Sequence, residues 1–323
     1  MVLLAALVVL GVAGSLLAAS FFAERERWST RLVAGRADQL HGIAEQQRVA
    51  LRAGWDTAAR FAQLPESTVA LSPVAVAGTA VVDRWISRLS AWTYRGVVSA
   101  RDVRDSSLDA VMAATLLVDA PRFAALGALV ARGDVRVDGG LTTAAPDSAA
   151  AVACDAGPVS VPGVVMAPGA IGPDGAVEVA AAGDDSTYHL FGGVTVDTLA
   201  ARAGIRLPGG AVVSAIRAGV AYAEGDLELS GGDGAGLLLV KGALTVSGSV
   251  TFRGVIVAGG GVVVSGGRFA MSGLLLAEGG AAAVAVNSLA ELHLAYDPCA
   301  VEDAEWHAGR VIFASVPTEP VAP

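Results

Sequence analysis

The sequence predicts a mainly β protein with a long N-terminal transmembrane helix, in which a small α/β region is followed by a short-period β-solenoid. Three observations predict it. Residues Met1 to Ala23 carry no charged side chain. Apolar residues then recur at three- and four-residue steps as far as Leu64. Between Gly225 and Gly280 a glycine-bounded pattern of alternating residues repeats at short intervals.

The chain has 323 residues, 54% of them hydrophobic and 16% charged, with 40 glycines but only 5% aromatics. Its apolar content is therefore small and aliphatic, which excludes a disordered chain. With 22 basic against 31 acidic residues the net charge is -9. A basic face for nucleic acid is excluded, because phosphate contacts need clustered cations.

At about 1.5 Å per residue the uncharged run makes a helix of roughly 35 Å, enough to cross a bilayer core. A cleaved secretory signal would show a basic n-region and a shorter apolar core; neither is present, so residues 1–23 are expected to be a retained anchor. The expected placement is single-pass in a bacterial inner membrane, with the C-terminal head in the periplasm or outside the cell. Leu3, Leu7, Leu10, Leu17, Phe21 and Phe22 are the candidate face towards lipid and partner helices. Arg25, Arg27 and Arg31 follow the anchor, on the side that the positive-inside rule assigns to the cytoplasm. The conflict vanishes if a short basic leader preceded Met1 and was removed.

From Glu24 onward, Leu40, Ile43, Ala44, Leu51, Trp55, Ala58, Phe61 and Ala62 keep a helical period, so an amphipathic stalk completes the first unit, residues 1–64. Pro65 ends it. Residues 65–130 mix a β-branched run around Val74 to Val82, a short helix or strand through Trp85 to Trp92 and an apolar run from Val111 to Val118, and form the small α/β region. Prolines 146, 158, 162, 168 and 173 exclude helix between Gly139 and Gly183 and leave turns and short strands.

The head, residues 131–285, is defined by repetition. Gly225-Asp-Leu-Glu-Leu-Ser-Gly231 recurs as Gly242-Ala-Leu-Thr-Val-Ser-Gly248 and Gly260-Gly-Val-Val-Val-Ser-Gly266, with a related Gly133-Asp-Val-Arg-Val-Asp-Gly139 upstream. A second unit, Gly236-Leu-Leu-Leu, Gly254-Val-Ile-Val and Gly273-Leu-Leu-Leu, interleaves with it. Alternation bounded by glycine at so short a period describes stacked strands. Leu227, Leu229, Leu244, Val246, Val262 and Val264 then form the solenoid core, while Glu228, Thr245 and Val263 point outward. Ala281 to Val286 and the tail, residues 286–323, are expected to cap one end.

The apolar start Met1 to Leu10, the Phe21-Phe22-Ala-Glu-Arg continuation, the Gly133 to Gly139 strand and the glycine-punctuated strands from Gly225 to Gly280 together resemble pilin-like proteins with a type IV pilus minor-pilin N-terminal domain. The resemblance implies an extracytoplasmic head on a membrane helix that packs laterally against other helices. Major pilins carry an acidic residue at the fifth mature position, where this chain has Ala5; polymerisation into a pilus shaft is not part of what is implied.

No constellation of catalytic residues emerges. His41, His189, His293 and His307 lie outside metal-ligand spacings, so no metal site is expected. Gly231-Gly-Asp-Gly-Ala-Gly236 lacks the second Asp of calcium-binding glycine repeats and reads as a turn. Gly242 follows Lys241, so there is no phosphate loop. Asp184-Asp185 and Glu302-Asp303 are adjacent carboxylates that face opposite ways in strands and are solvated in loops. Cys154 and Cys299 are the only cysteines: one disulfide in an oxidising compartment, two unrelated thiols in a reducing one.

The expected function is a non-enzymatic, membrane-anchored structural subunit without cofactor. Its expected partners are the lipid bilayer and other membrane-protein subunits, contacted through the helix and a solenoid face. One alternative is an accessory scaffold of an inner-membrane energy-converting complex, such as a photosynthetic reaction centre with its antenna. Another is a surface carbohydrate-binding or carbohydrate-active β-helix, which would line a face with carboxylates or aromatics; the outward positions Glu228, Thr245 and Val263 supply one acid.

Overall fold

The computed structural model describes all residues except 1, 55–62, 64–65, 77, 91, 125, 145–153, 155–159, 180–194, 280–281 and 315–323, and within the first helix it describes side chains only for residues 15–51. That helix, α1, runs unbroken over Val2–Ala53. Among the described residues no helix is long and apolar enough to cross a membrane. This corrects the expected transmembrane anchor and the single-pass inner-membrane placement. Within the described part of α1 the uncharged run ends at Ala23, and Glu24, Arg25, Glu26, Arg27 and Arg31 follow within about two turns, charges that a bilayer core does not accommodate. Trp55, Ala58, Phe61 and Pro65, on which the longer stalk rested, lie outside the described residues.

Two β modules follow. In the first, β1 (Thr68–Val76), β2 (Ala80–Ser90), β3 (Thr93–Asp102) and β4 (Asp109–Asp119) form an antiparallel sheet, with β21 (Arg310–Ala314) returning from the far end of the chain to its edge. The expected α/β character of 65–130 is absent from the described residues there, which hold strands and no helix. The apolar runs around Val82 and Val111 alternate buried and exposed residues, the period of a half-buried strand. Leu40, Ala44 and Leu51 of α1 pack on this sheet with Val82, Tyr94, Val98 and Leu116. Gly96 of β3 permits the close approach, since a methyl there would press on Leu51 and Leu116 at 3.1 Å.

The second module is a solenoid of parallel strands in three columns. The innermost repeat forms one column: β11 (Ala211–Val213), β13 (Leu227–Leu229), β15 (Leu244–Val246), β17 (Val262–Val264), β19 (Ala282–Val286) and β6 (Asp134–Val137). Leu227, Leu244 and Val262 stand in register, as do Leu229, Val246 and Val264, and all six are buried. Glu228, Thr245 and Val263 alternate with them on the outer side, half-buried. The other two columns are made by long strands that bend at a glycine: β14 (Gly232–Val240), β16 (Val250–Ala258) and β18 (Gly267–Ala277). Gly236, Gly254 and Gly273 stack in register at the bend with φ of 98°, 136° and 133°. Only glycine takes such angles readily, and a methyl on Gly254 or Gly273 would collide with the carbonyl of the glycine one rung back. Gly232 and Asp233 thus belong to a strand, not to the turn read from the sequence.

Two features depart from a simple repeat array. The apolar halves Leu237–Val240, Val255–Ala258 and Leu274–Ala277 are buried at every position. One side faces the interior, and the other is covered by α3 (Pro298–Ala308), which lies across β14, β16 and β18; strands buried on both faces read as continuous apolar runs. The order of the rungs is also not that of the chain. The upstream Gly133 to Gly139 unit is a rung of its own, formed by β5 (Leu129–Ala131), β6 and β7 (Gly140–Ala144), and it docks on the last-made rung through β5–β18, β6–β19 and β7–β20 (Ala290–Ala295) pairs. Ala282–Val286 is therefore an internal strand, not a cap. At the opposite end the short helix α2 (Val196–Ala201) buries Leu199 beside β12 (Val220–Ala223).

Candidate docking site

Several of the exposed large apolar side chains among the described residues lie on α1. Leu17, Phe21 and Trp28 are 71%, 69% and 65% exposed, and Leu32 and Phe22 are similarly open. At about 100° per residue Leu17, Phe21, Trp28 and Leu32 fall within roughly 60° of arc, on the side of the helix away from the sheet-packing Leu40, Ala44 and Leu51. Of the residues named from the sequence as the helix face, Leu17 and Phe21 share this stripe. Phe22 falls outside it, one residue step further round. Leu3, Leu7 and Leu10 lie on the same helix, but their side chains are outside the described residues. Trp28 and Leu32 continue the stripe past the first charges and were missed, because the sequence reading stopped the interface where charge begins.

A second feature is buried at the joint between the modules. Arg88 of β2 reaches Glu302 of α3 at 3.3 Å with both side chains almost fully buried. One turn on, Glu305 accepts a 2.7 Å hydrogen bond from the Phe123 backbone N–H, with the Arg122 guanidinium 3.6 Å away. Burial pushes the Glu305 carboxyl up to about 7 despite these partners. Trp306 stacks on Trp92 at 6.1 Å and meets Tyr94 edge-on at 5.6 Å, while Arg122 lies 3.5 Å over the Trp92 ring. These groups pack against one another across the joint.

The remaining chemistry-bearing residues are scattered. His293, on the outer face of β20, touches Thr142 at 3.0 Å and Glu291 at 3.1 Å. His307 contacts Asp303 on the same helix, and that hydrogen bond raises its pKa. The Glu302-Asp303 pair is thus split between a buried ion pair and a surface contact. Asp184, Asp185 and His189 lie outside the described residues. No group of three metal-ligating side chains occurs among the described residues. Cys154 and Cys299 form a disulfide, which fixes residue 154 to the first turn of α3. The third solenoid face carries a shallow groove of about 310 Å³ between Thr142, Thr251, Arg268, Ala270 and His293.

These elements define a class by architecture: a long helix half sheathed by an antiparallel sheet, joined to a disulfide-tied β-solenoid. No family model, curated protein or solved structure matches the chain.

Proposed function

We propose that this chain is a non-enzymatic structural subunit, pilin-like in its layout, that joins a larger assembly by lateral packing of α1 and presents the solenoid as its head. The observation that carries the reading is the stripe Leu17, Phe21, Trp28 and Leu32, more than half exposed at every position. Large apolar side chains clustered on an open face mark an interaction surface. The head supports a passive role: its outward ladder Glu228, Thr245, Val263 lacks the row of acids or aromatics that a glycan-binding face needs.

The test uses the full chain with Phe21→Asp and Trp28→Asp, tagged and cross-linked in cells of the source. Because neither side chain is buried, the variant should unfold at the wild-type temperature. It should also lose the stoichiometric companions that mass spectrometry finds with the wild type. Unchanged companions at unchanged abundance would refute docking through α1.

A further inference from the structure

We propose that the groove on the third solenoid face is a binding site for a uronate, a sugar ring that carries one carboxylate. The proposal stands apart from the docking role given to α1 and supplies the head with a ligand of its own. Register builds the site. One outward row runs Thr142, His293, Ala270 and Thr251, a residue from each of β7, β20, β18 and β16. Adjacent strands lie about 4.8 Å apart, so His293 and Thr251 stand roughly 10 Å from each other with only the Ala270 methyl between them. Residues two apart on a strand share a face, so Arg268 and Ser272 close the gap at its two ends along β18. Ser272 continues sideways into Ala295 and Ala144. The result is a groove of about 310 Å³ whose floor is methyl groups and whose walls are polar.

The polarity of the lining selects the ligand. It contains one arginine and no carboxylate, in a chain with 31 acidic residues against 22 basic ones. Arg268 is exposed and has no ion pair or side-chain hydrogen bond among the described residues. The nearby acids are engaged elsewhere: Glu291, across the rung from Arg268, lies 3.1 Å from His293 Nε2, and Asp297 takes Arg253 at 3.4 Å and Ser272 at 3.3 Å. A guanidinium fork matches the two oxygens of a carboxylate. One cation suits one negative charge, whereas a phosphate monoester carries nearly two, and an ammonium group would find no counter-charge in the lining. No aromatic side chain lines the groove, so a flat aromatic acid gains no stacking, while the methyl floor fits the C–H face of a saturated ring. Thr251 and Thr142 offer hydroxyls that donate to and accept from ring hydroxyls. The volume is at the lower end for small-molecule sites, enough for one ring. This face is separate from the ladder Glu228, Thr245, Val263 and takes its sugar by charge. The groove opens towards β7, which pairs only with β20, so either a free uronate or one unit of a polyuronate can occupy it.

Titration of the full chain with glucuronate, galacturonate and galacturonate trimer, followed by ligand-observed NMR and calorimetry, tests this, with glucose as the uncharged counterpart of glucuronate. Glucuronate should bind at least about tenfold more tightly than glucose, the worth of a charged hydrogen bond. Arg268→Gln should erase that preference, and Ala270→Leu, which fills the floor, should abolish binding. Both positions face outward, so melting temperatures should stay at the wild-type value. Arg136→Gln, on another face of the solenoid, should bind as the wild type does. A trimer that binds more tightly than the monomer would identify a polyuronate as the source, and equal affinities the free sugar acid. Equal affinity for glucose and glucuronate would overturn the site, as would binding that survives Arg268→Gln. No binding of monomer or trimer up to about 50 mM, an affinity too weak for any specific contact, would overturn it as well. None of these results bears on docking through α1.

Discussion

Glu305 shows how a single side chain ties stability to pH. Its carboxyl is buried under Phe123 and Arg122, and burial raises its pKa from the ordinary 4.5 to about 7. A group whose folded pKa lies above its unfolded value contributes stability that is complete below about pH 4.5 and is lost as pH rises through about 7. The shift corresponds to about 3 kcal/mol. Melting temperatures measured from pH 4 to 8 should therefore fall more steeply for the wild type than for Glu305→Gln. Part of the decline will remain in the variant, since the raised pKa of His307 acts in the same direction. Parallel curves would show that Glu305 is hydrated. Arg88 poses the complementary case: Arg88→Met removes the guanidinium paired with the buried Glu302 carboxylate, and urea unfolding should show a loss of about 3–5 kcal/mol. Glu302 shows in the sequence only as half of an adjacent pair of carboxylates, and its pairing with Arg88 does not show at all. Arg88 and Glu302 are 214 positions apart, and nothing local marks either as buried.

At the scale of elements, what was legible depended on how local the cause was. The column Leu227, Leu244, Val262 could be read directly, because alternation with period two and a glycine at each corner are properties of a single strand. The double burial of Leu237–Val240 and its counterparts could not, since it depends on where α3 lies. The antiparallel strands β2 and β4 were obscured by mixed apolar and polar residues whose alternation becomes clear only once the sheet-covering role of α1 is known. The stripe on α1 is half visible: Leu17 and Phe21 lie within the uncharged run, whereas Trp28 and Leu32 lie beyond the first charges. A prediction belongs here as well. Gly254→Ala places a methyl against the Gly236 carbonyl at φ of 136°, and should cost more than the roughly 1 kcal/mol gained where alanine fits such a site. Chemical denaturation should show a loss, whereas Gly35→Ala on the open helix face should leave stability unchanged or raised.

On the scale of the molecule, the two β modules are joined by side chains, by the return of β21 to β4 and by a covalent clamp. The Cys154–Cys299 bond spans 145 residues. Closing so long a loop restricts the unfolded chain, and its loss is expected to cost up to roughly 5 kcal/mol. Cys154→Ser with Cys299→Ser should lower the melting temperature and remove its sensitivity to reductant. A melting temperature indifferent to reductant in the wild type would show that the clamp carries no load.

The displaced order of the rungs also matters while the chain is being made. Residues 129–144 leave the ribosome early, yet β6 and β7 pair with no strand that precedes β19 and β20. Leu129–Ala131 can pair early with Val164–Met166, whereas β6 and β7 wait for their strand partners until about 150 further residues have been translated. A chain cut short before Gly267 would leave the edges of β6 and β7 without the strands that pair with them.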